Sequence, residues 1–236
     1  MPAHPLTRVL ARVVTAASLV VVLGVGATAC APASPSAHPT STELVGGEGG
    51  VSFDEGWIRM GTGPKIVDVY VDPMCPYCRM FEEAAGGMLA AEAEAGRATV
   101  RIHPVAILNR LSRGTEYSSR AAAVLTAAAA TTPSATADVI AALFRNQPAE
   151  NTVGLTDDRL LDIVVEAGAD PAVRDIDLAS YRAWVDAQTA TATRGPLPTT
   201  ADAPSLQGVP LVLVNGDLFS GNGGQESAFR RFYDAS

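Results

Sequence analysis

The chain has 236 residues, of which 47% are hydrophobic, and this composition predicts a globular protein of one or two domains with a sizeable core. A disordered tail or a collagen-like chain is therefore excluded. The formal net charge is −8, and the basic residues are scattered along the sequence. Proteins that bind nucleic acids concentrate basic residues on one surface, so DNA and RNA are not expected as partners.

The first 29 residues have the pattern of an export signal. Arg8 and Arg12 precede a long apolar run, and the run ends in small residues just before Cys30. A basic start, an apolar middle and a small-residue end are the three parts of a secretory signal peptide. An uncleaved membrane anchor is an alternative, since about 17 apolar residues approach the length that spans a bilayer. Secretion with cleavage at another position is a second alternative. All three interpretations place the domain outside the cytoplasm.

Cys30 directly follows small residues, and this arrangement resembles the lipobox of bacterial lipoproteins. The resemblance implies that Cys30 becomes a lipidated N-terminus, which would anchor the chain to the outer face of the cell membrane. Residues 30–50 are rich in proline, serine, threonine and glycine and poor in apolar side chains. Such a stretch lacks the material for a core, so we interpret it as a flexible tether.

Residues 51–114 are predicted to alternate strands with a helix. Segments rich in β-branched and aromatic residues predict strands over 57–60, 66–71 and 99–108. Between the last two, apolar residues recur at helical spacing from Cys75 to Gly96, with Gly86 and Gly87 as a weak point or kink. A helical crossover of this length predicts that the two strands it joins are parallel.

Residues 115–205 are alanine-rich and periodic, which predicts helices in place of strands. The expected helices cover about 116–131, 135–145, 157–168 and 170–195. Thr156 is the predicted N-cap of the third helix, and Asp170 with Pro171 begins the fourth. Residues 206–236 then predict two strands around Asn215-Gly216, a residue pair that tight hairpins favour, followed by a short helix.

Cys75 and Cys78 are the one cysteine pair that remains once Cys30 is assigned to a lipid. A Cys-x-x-Cys sequence at a strand-to-helix turn is typical of a redox motif. At the start of a helix, unpaired N–H groups and the helix dipole stabilise the thiolate, so Cys75 is the predicted nucleophile. Pro76 suits the first helical position because it has no N–H to leave unpaired. Cys78 lies one turn further on, and it should be more buried and act as the resolving thiol.

Other uses of this pair fit the sequence less well. Zinc requires four ligands, and His103 is the one further candidate in the folded part, so no metal is predicted. Haem attachment requires a histidine directly after the second cysteine, where this chain has Arg79. A purely structural disulfide that closes so short a loop stabilises little. Redox activity without a cofactor is therefore the favoured interpretation.

The chain resembles the DsbA-like branch of the thioredoxin superfamily. The matching pieces are Val67–Cys78, Ile102–Val105, the helical segment and Gly208–Gly216, and the resemblance covers residues 51–236. It implies an α/β thioredoxin fold, with an N-terminal part over 51–114 and a C-terminal part over 206–236. A large helical insertion over 115–205 would separate the second strand of the βαβ unit from the hairpin that carries a cis-proline.

The resemblance also assigns functions to residues near the cysteines. The Val209–Pro210 bond corresponds to the cis-proline of the family, and the backbone beside Val209 would pair with an extended substrate peptide. Pro76 and Tyr77, which separate the two cysteines, are implied to tune the redox properties of the pair. These residues complete the predicted site.

Three polar residues near the pair call for separate interpretation. Many relatives carry a buried acid six residues before the first cysteine, where this chain has Val69. Asp68 has the opposite strand parity, so we do not expect it to shuttle protons. Asp72 matches a frequent family residue and also fits the simpler role of forming the turn before Pro73. His103 is interpreted as a structural residue of its strand.

These features predict an exported, membrane-anchored thiol–disulfide oxidoreductase, and a DsbA-like oxidase is the first choice. The implied partners are reduced or misoxidised secreted proteins and a membrane redox partner, either DsbB-like or VKOR-like or an electron donor. A reductase or isomerase is an alternative because Pro-Tyr also occurs between the cysteines of isomerase-like proteins. A non-catalytic lipoprotein that binds a partner is a further alternative. A monomer is expected, since the chain has no room for an added dimerisation domain.

Overall fold

A mixed seven-stranded sheet is the centre of the fold in the part of the chain that the computed structural model describes, residues 42–221 and 224–236. The strands are β1 (Gly47–Glu48), β2 (Val51–Ser52), β3 (Trp57–Met60), β4 (Lys65–Val71), β5 (Ala98–Pro104), β6 (Leu211–Val214) and β7 (Asp217–Leu218). Their order across the sheet is β1-β2-β3-β5-β4-β6-β7. β4 and β5 are parallel, and the other neighbouring strands are antiparallel, so the predicted parallel pair is confirmed.

Seven α-helices of the described residues surround this sheet. They are α1 (Pro76–Phe81), α2 (Gly87–Glu94), α3 (Tyr117–Thr131), α4 (Thr136–Arg145), α5 (Asp157–Glu166), α6 (Leu178–Arg194) and α7 (Glu226–Ala235). A π-helical turn, Glu82–Gly86, joins α1 to α2 at the weak point that the glycines predicted. Gly96, the predicted helix end, has a positive φ of 68°, a conformation that glycine adopts without strain.

The helical insertion packs around α3, whose side chains are almost all buried. Seven of the thirteen buried side chains are alanines, and their small size lets α4, α5 and α6 pack against α3. The main core lies between these helices, the active-site helix α1 and one face of the sheet. A smaller core on the opposite face of the sheet includes Tyr70, Leu206 and Leu213. The predicted fold class, a thioredoxin fold with a helical insertion before the last hairpin, is confirmed.

Two predicted elements differ from the observed ones. The fourth helix is not continuous over 170–195, because a 3₁₀ helix, Pro171–Asp175, ends at Ile176 and α6 begins separately. The Asp177 side chain accepts a hydrogen bond from Ala179 N and so caps the start of α6. The predicted strand 99–108 ends at Pro104, since its partner β4 ends at Val71 and leaves no strand to pair with further on.

The glycines at the end of the predicted tether belong to the fold. Gly47–Glu48 forms β1, and Gly50 N donates a hydrogen bond to Ala129 O on α3 at 3.0 Å. A Cβ on Gly49 would lie 2.0 Å from Ala130 O, so only glycine lets the backbone approach α3 this closely. The described structure therefore extends before residue 51.

The predictions for residues 1–41 lie outside the described residues. These predictions are the signal peptide, the lipidated Cys30 and most of the tether. Among the helices of the described part, none combines the length and the apolar character needed to cross a bilayer.

Candidate active site

The two cysteines lie at the turn between β4 and α1. Cys75 is the N-cap residue of α1, with extended backbone angles, and Pro76 occupies the first helical position. The carbonyl oxygen of Cys75 accepts hydrogen bonds from Cys78 N at 3.0 Å and from Arg79 N at 3.2 Å. This geometry places the Cys75 side chain at the positive end of the helix, as the motif predicted.

The two thiols are free in this structure, and they differ in environment. Cys75 is 5% exposed and Cys78 is 0% exposed. A hydrogen bond from the Cys78 thiol is the main cause that holds the pKa of Cys75 below its ordinary value, and the N–H groups of Cys78 and Tyr77 add to it against the opposing effect of burial. Burial, together with the neighbouring Cys75, raises the pKa of Cys78 well above the ordinary value. Cys75 is therefore the thiol that ionises first.

The Val209–Pro210 loop faces Cys75 from the other side of the turn. The peptide bond between these two residues is cis, in agreement with the family pattern, and the Cys75 thiol donates a hydrogen bond to Val209 O at 3.4 Å. Beside the pair, Tyr77 is 58% exposed and Met80 is 39% exposed. The predicted site residues thus meet at one surface, where apolar side chains border the reactive sulfur.

Asp72 is buried directly beneath the active-site turn. One carboxylate oxygen accepts from Met74 N and the other from Leu108 N, each at 2.8 Å. Burial raises the pKa of Asp72 to about 6, although these hydrogen bonds oppose the change. Its negative charge in turn raises the pKa of both cysteines. The turn-forming role that the sequence predicted accounts only for the oxygen that accepts from Met74 N, and not for the one that accepts from Leu108 N.

A second carboxyl group, Glu82, lies near the pair without having been singled out in the sequence. Glu82 and Cys78 line one cavity of about 130 Å³, between the active-site helix, the sheet and α4. Burial raises the pKa of Glu82 to about 7, and the charge of Arg145 opposes that change. Val69, which stands where many relatives carry an acid, lines the same cavity. The acidic residues at this cavity, Glu82 and Asp138, therefore come from helical segments and not from the strand.

Asp68 and His103 lie on the opposite face of the sheet. His103 Nε2 and Asp68 Oδ1 are 2.8 Å apart, both side chains are buried, and the His103 ring stacks on Tyr70 with 4.1 Å between ring centroids. Arg101 adds a weaker contact with Asp68, at 3.9 Å. The strand parity of Asp68 thus directs it away from the cysteines, and His103 pairs with it inside the fold.

Gln147 is a second group near the pair, after Glu82, that the sequence did not reveal. Its Nε2 donates hydrogen bonds to the carbonyl oxygens of Pro73, at 2.9 Å, and of Cys75, at 3.0 Å. The residue lies in the helical insertion, 72 positions after Cys75. No local pattern marks a glutamine for such a contact, because the contact exists only once the insertion has packed on the turn.

A thiolate-stabilising Cys-x-x-Cys at a helix start, opposite a cis-proline on a mixed sheet, defines the class of thiol–disulfide oxidoreductases with a thioredoxin fold. Residues 60–234 match the family Thioredoxin_4, described as Thioredoxin, and the chain belongs to this family. No curated protein matches the chain.

Solved structures narrow the class further. The reduced form of the disulfide bond oxidoreductase DsbG from Mycobacterium tuberculosis is 25% identical, with a TM-score of 0.61 over 76% of this chain and 86% of that chain. Oxidised DsbA from the same organism is 29% identical, with a TM-score of 0.59 over 70% and 85%. The thiol-disulfide oxidoreductase MdbA from Corynebacterium diphtheriae is 20% identical over 81% and 96%, with a TM-score of 0.61, and shows a similar fold. The chain is a DsbA-like protein thiol–disulfide oxidoreductase.

Proposed function

We propose that this chain is an exported, membrane-anchored oxidase that donates its Cys75–Cys78 disulfide to secreted proteins. The observation that carries the proposal is the contrast between the two thiols, since the pKa of Cys75 is lowered and that of the buried Cys78 is raised. A stabilised Cys75 thiolate favours the reduced form of the pair, and a stabilised reduced form makes a disulfide a stronger oxidant.

The exchange proceeds in two steps that balance in electrons. A substrate thiolate attacks the Cys75 sulfur of the oxidised pair, the Cys75–Cys78 bond breaks, and Cys78 leaves and takes up a proton. A second substrate thiolate then attacks the substrate sulfur of the mixed disulfide, and Cys75 leaves as a thiolate. The substrate loses two electrons and gains a disulfide, while the enzyme pair gains the two electrons.

The surface around Cys75 suits an extended, partly unfolded chain as substrate. The backbone of Val209, in the segment just before β6, lies next to the reactive sulfur, and pairing with it would align an extended peptide without reading its sequence. The exposed Tyr77 and Met80 supply apolar contacts for side chains that a folded substrate would hide. Reduced or misoxidised secreted proteins have these properties.

Export and anchoring are supported by the first 30 residues of the sequence. The signal pattern and the small residues before Cys30 support a position on the outer face of the cell membrane. A membrane redox partner of the DsbB or VKOR type would return electrons to the respiratory chain and restore the disulfide. Replacement Cys30→Ser should move the protein from the membrane fraction to the soluble or secreted fraction.

A reductase or isomerase is the second candidate, and the buried Asp72 favours it. Its charge raises the pKa of both cysteines, which disfavours the reduced thiolate and makes the pair a weaker oxidant. For these functions an electron donor in the membrane would keep the pair reduced.

Trapping of reaction intermediates tests the exchange itself. Oxidised protein is mixed with a reduced model substrate, and disulfide formation in the substrate is followed with the parent and with Cys75→Ser. We expect Cys75→Ser to abolish turnover. Cys78→Ser cannot form the internal disulfide, so it is mixed instead with the substrate in its disulfide form, and its Cys75 thiolate should attack that disulfide and accumulate as a mixed disulfide while the other substrate sulfur leaves as a thiolate. Turnover that persists in Cys75→Ser would contradict the assignment, and a parent that oxidises no substrate but reduces disulfides would favour the second candidate.

A further inference from the structure

Gln147 holds the backbone of the active-site turn from the helical insertion. One amide nitrogen, Nε2, donates to both the Pro73 and the Cys75 carbonyl oxygens, at 2.9 and 3.0 Å. The two residues so held lie on either side of Met74, within the turn that directs the Cys75 side chain. A single side chain from a distant segment therefore fixes both ends of this turn.

Gln147 is itself held in place, so it brings a fixed anchor to the turn. Its own N–H donates to Phe144 O at 3.2 Å, which keeps it against the end of α4. Further along the same loop, Asn151 N donates to Leu111 O at 2.7 Å and Thr115 Oγ1 donates to Val153 O at 2.7 Å. These bonds tie the loop to the segment before α3 and limit its movement relative to the turn.

The Cys75 carbonyl oxygen is held both by the backbone of α1 and by the Gln147 side chain. It accepts from Cys78 N and Arg79 N inside α1 and from Gln147 outside it. Rotation of this peptide group would turn Cys75 and move its sulfur away from Val209 O, which lies 3.4 Å away. The N–H dipole of Gln147 also points toward the backbone of the residue that carries the thiolate.

We propose that Gln147 is a positioning residue for thiol–disulfide exchange, which keeps the Cys75 sulfur at the helix N-terminus and facing Val209 by clamping the Pro73 and Cys75 carbonyls. The inference rests on the exchange chemistry proposed above and extends the site into the helical insertion. A glutamine that served only to stabilise the loop would leave the ionisation and the reactivity of Cys75 unchanged.

The test compares Gln147→Met, which keeps the length of the side chain and removes its donors, with the parent full chain. The first readout is the pH profile of Cys75 alkylation by iodoacetamide, which needs no protein substrate. We expect the apparent pKa of Cys75 to rise and its alkylation rate at pH 7 to fall about threefold to tenfold, the size of effect that one or two hydrogen bonds produce. Exchange with a model substrate should lose kcat with little change in KM.

Matched variants separate positioning from stability. Gln188→Met makes the same replacement on α6, at a site outside the active-site turn, and should match the parent. Gln147→Lys keeps a donor of similar reach and should recover part of the lost rate. Should Gln147→Met fail to fold at the assay temperature, Gln147→Glu provides the second disruptive variant, since it loses both donors and adds a charge beside the two carbonyls.

Two outcomes overturn the inference. One is a Gln147→Met or Gln147→Glu protein with the alkylation profile and exchange rate of the parent, whatever its melting temperature. The other is an equal shift in Gln188→Met. Because the alkylation of Cys75 needs no substrate, a parent without oxidase activity would refute the proposed function and still leave the role of Gln147 measurable.

Discussion

The acids on the two sides of the sheet differ in their partners. On one face, Asp68 contacts His103 at 2.8 Å and Arg101 at 3.9 Å. On the side of the cysteines, Asp72 has backbone N–H partners and Glu82 faces a largely apolar cavity, and burial raises the pKa of both. Asp68 therefore belongs to a side-chain pair inside the fold, whereas Asp72 and Glu82 are groups whose protonation changes near neutral pH.

The largest expected effect comes from breaking the pair on the face away from the cysteines. Asp68→Ala leaves the buried His103 and the partly exposed Arg101 without their acid. Loss of one partner of a buried pair, here that of His103, costs about 3–5 kcal/mol of unfolding free energy. Urea denaturation measures this loss. The alkylation profile of Cys75 should stay that of the parent, and a shifted profile would mean that the two faces are coupled.

Asp72→Asn tests how the buried acid on the cysteine side of the sheet affects stability. The pKa of Asp72 is about 6 in the folded protein against 3.8 ordinarily, so the folded state holds its proton longer than the unfolded state does. Stability from this group is therefore greatest below about pH 4 and falls as pH rises toward 7, by up to about 3 kcal/mol.

The Asn variant should lose this pH dependence, as measured by denaturation at pH 4 and at pH 7. Its Cys75 should also ionise at lower pH, because a charge that raises the pKa of both cysteines has been removed. A variant that keeps the full slope of stability against pH would show that Asp72 is not the titrating group. The amide also places an N–H₂ group near two N–H donors, so its stability at pH 4 is expected to be lower than that of the parent.

The smallest effect is expected for Glu82→Gln. The pKa of Glu82 is about 7 in the folded protein against 4.5 ordinarily, so its contribution to stability falls as pH rises from about 4.5 through 7. The Gln variant should be more stable than the parent at pH 8, by about 1–3 kcal/mol, and equal to it at pH 4.

Glu83→Gln is the matched control for that prediction. Glu83 is the next residue along the chain, is exposed and makes a surface ion pair with Arg79 at 3.7 Å. Such exposed pairs contribute about 0–1 kcal/mol, so its stability should change little at either pH. A gain in Glu83→Gln equal to that of Glu82→Gln would show that net charge, and not the cavity, sets the effect.

The sequence predicted local features well because their causes are local. The strands predicted from β-branched residues, the Thr156 N-cap and the Asn215-Gly216 hairpin are all present in the structure near the predicted positions. The redox motif could be recognised from the sequence for the same reason, since two cysteines at a helix start need no distant partner to stabilise a thiolate.

The residues that hold the site in place could not be predicted from the sequence, because each acts through a contact between distant parts of the chain. Asp72 meets Leu108, 36 residues away, and Cys75 meets Gln147, 72 residues away. The break before α6 has a local cause instead: Asp177 caps a new helix by accepting from Ala179 N, where helical periodicity alone predicted a continuous one. A pattern names the residue types available, and packing decides which of them meet.

The reduction potential of the Cys75–Cys78 pair tests whether the protein donates its disulfide to substrates. The full chain is equilibrated against glutathione buffers, and the reduced fraction of the two cysteines is quantified by alkylation and mass spectrometry. A stabilised Cys75 thiolate predicts a potential of about −180 to −120 mV, the range of disulfide donors and isomerases. A potential of about −250 mV or below would show that the pair is not a disulfide donor and would assign the protein to the reductases.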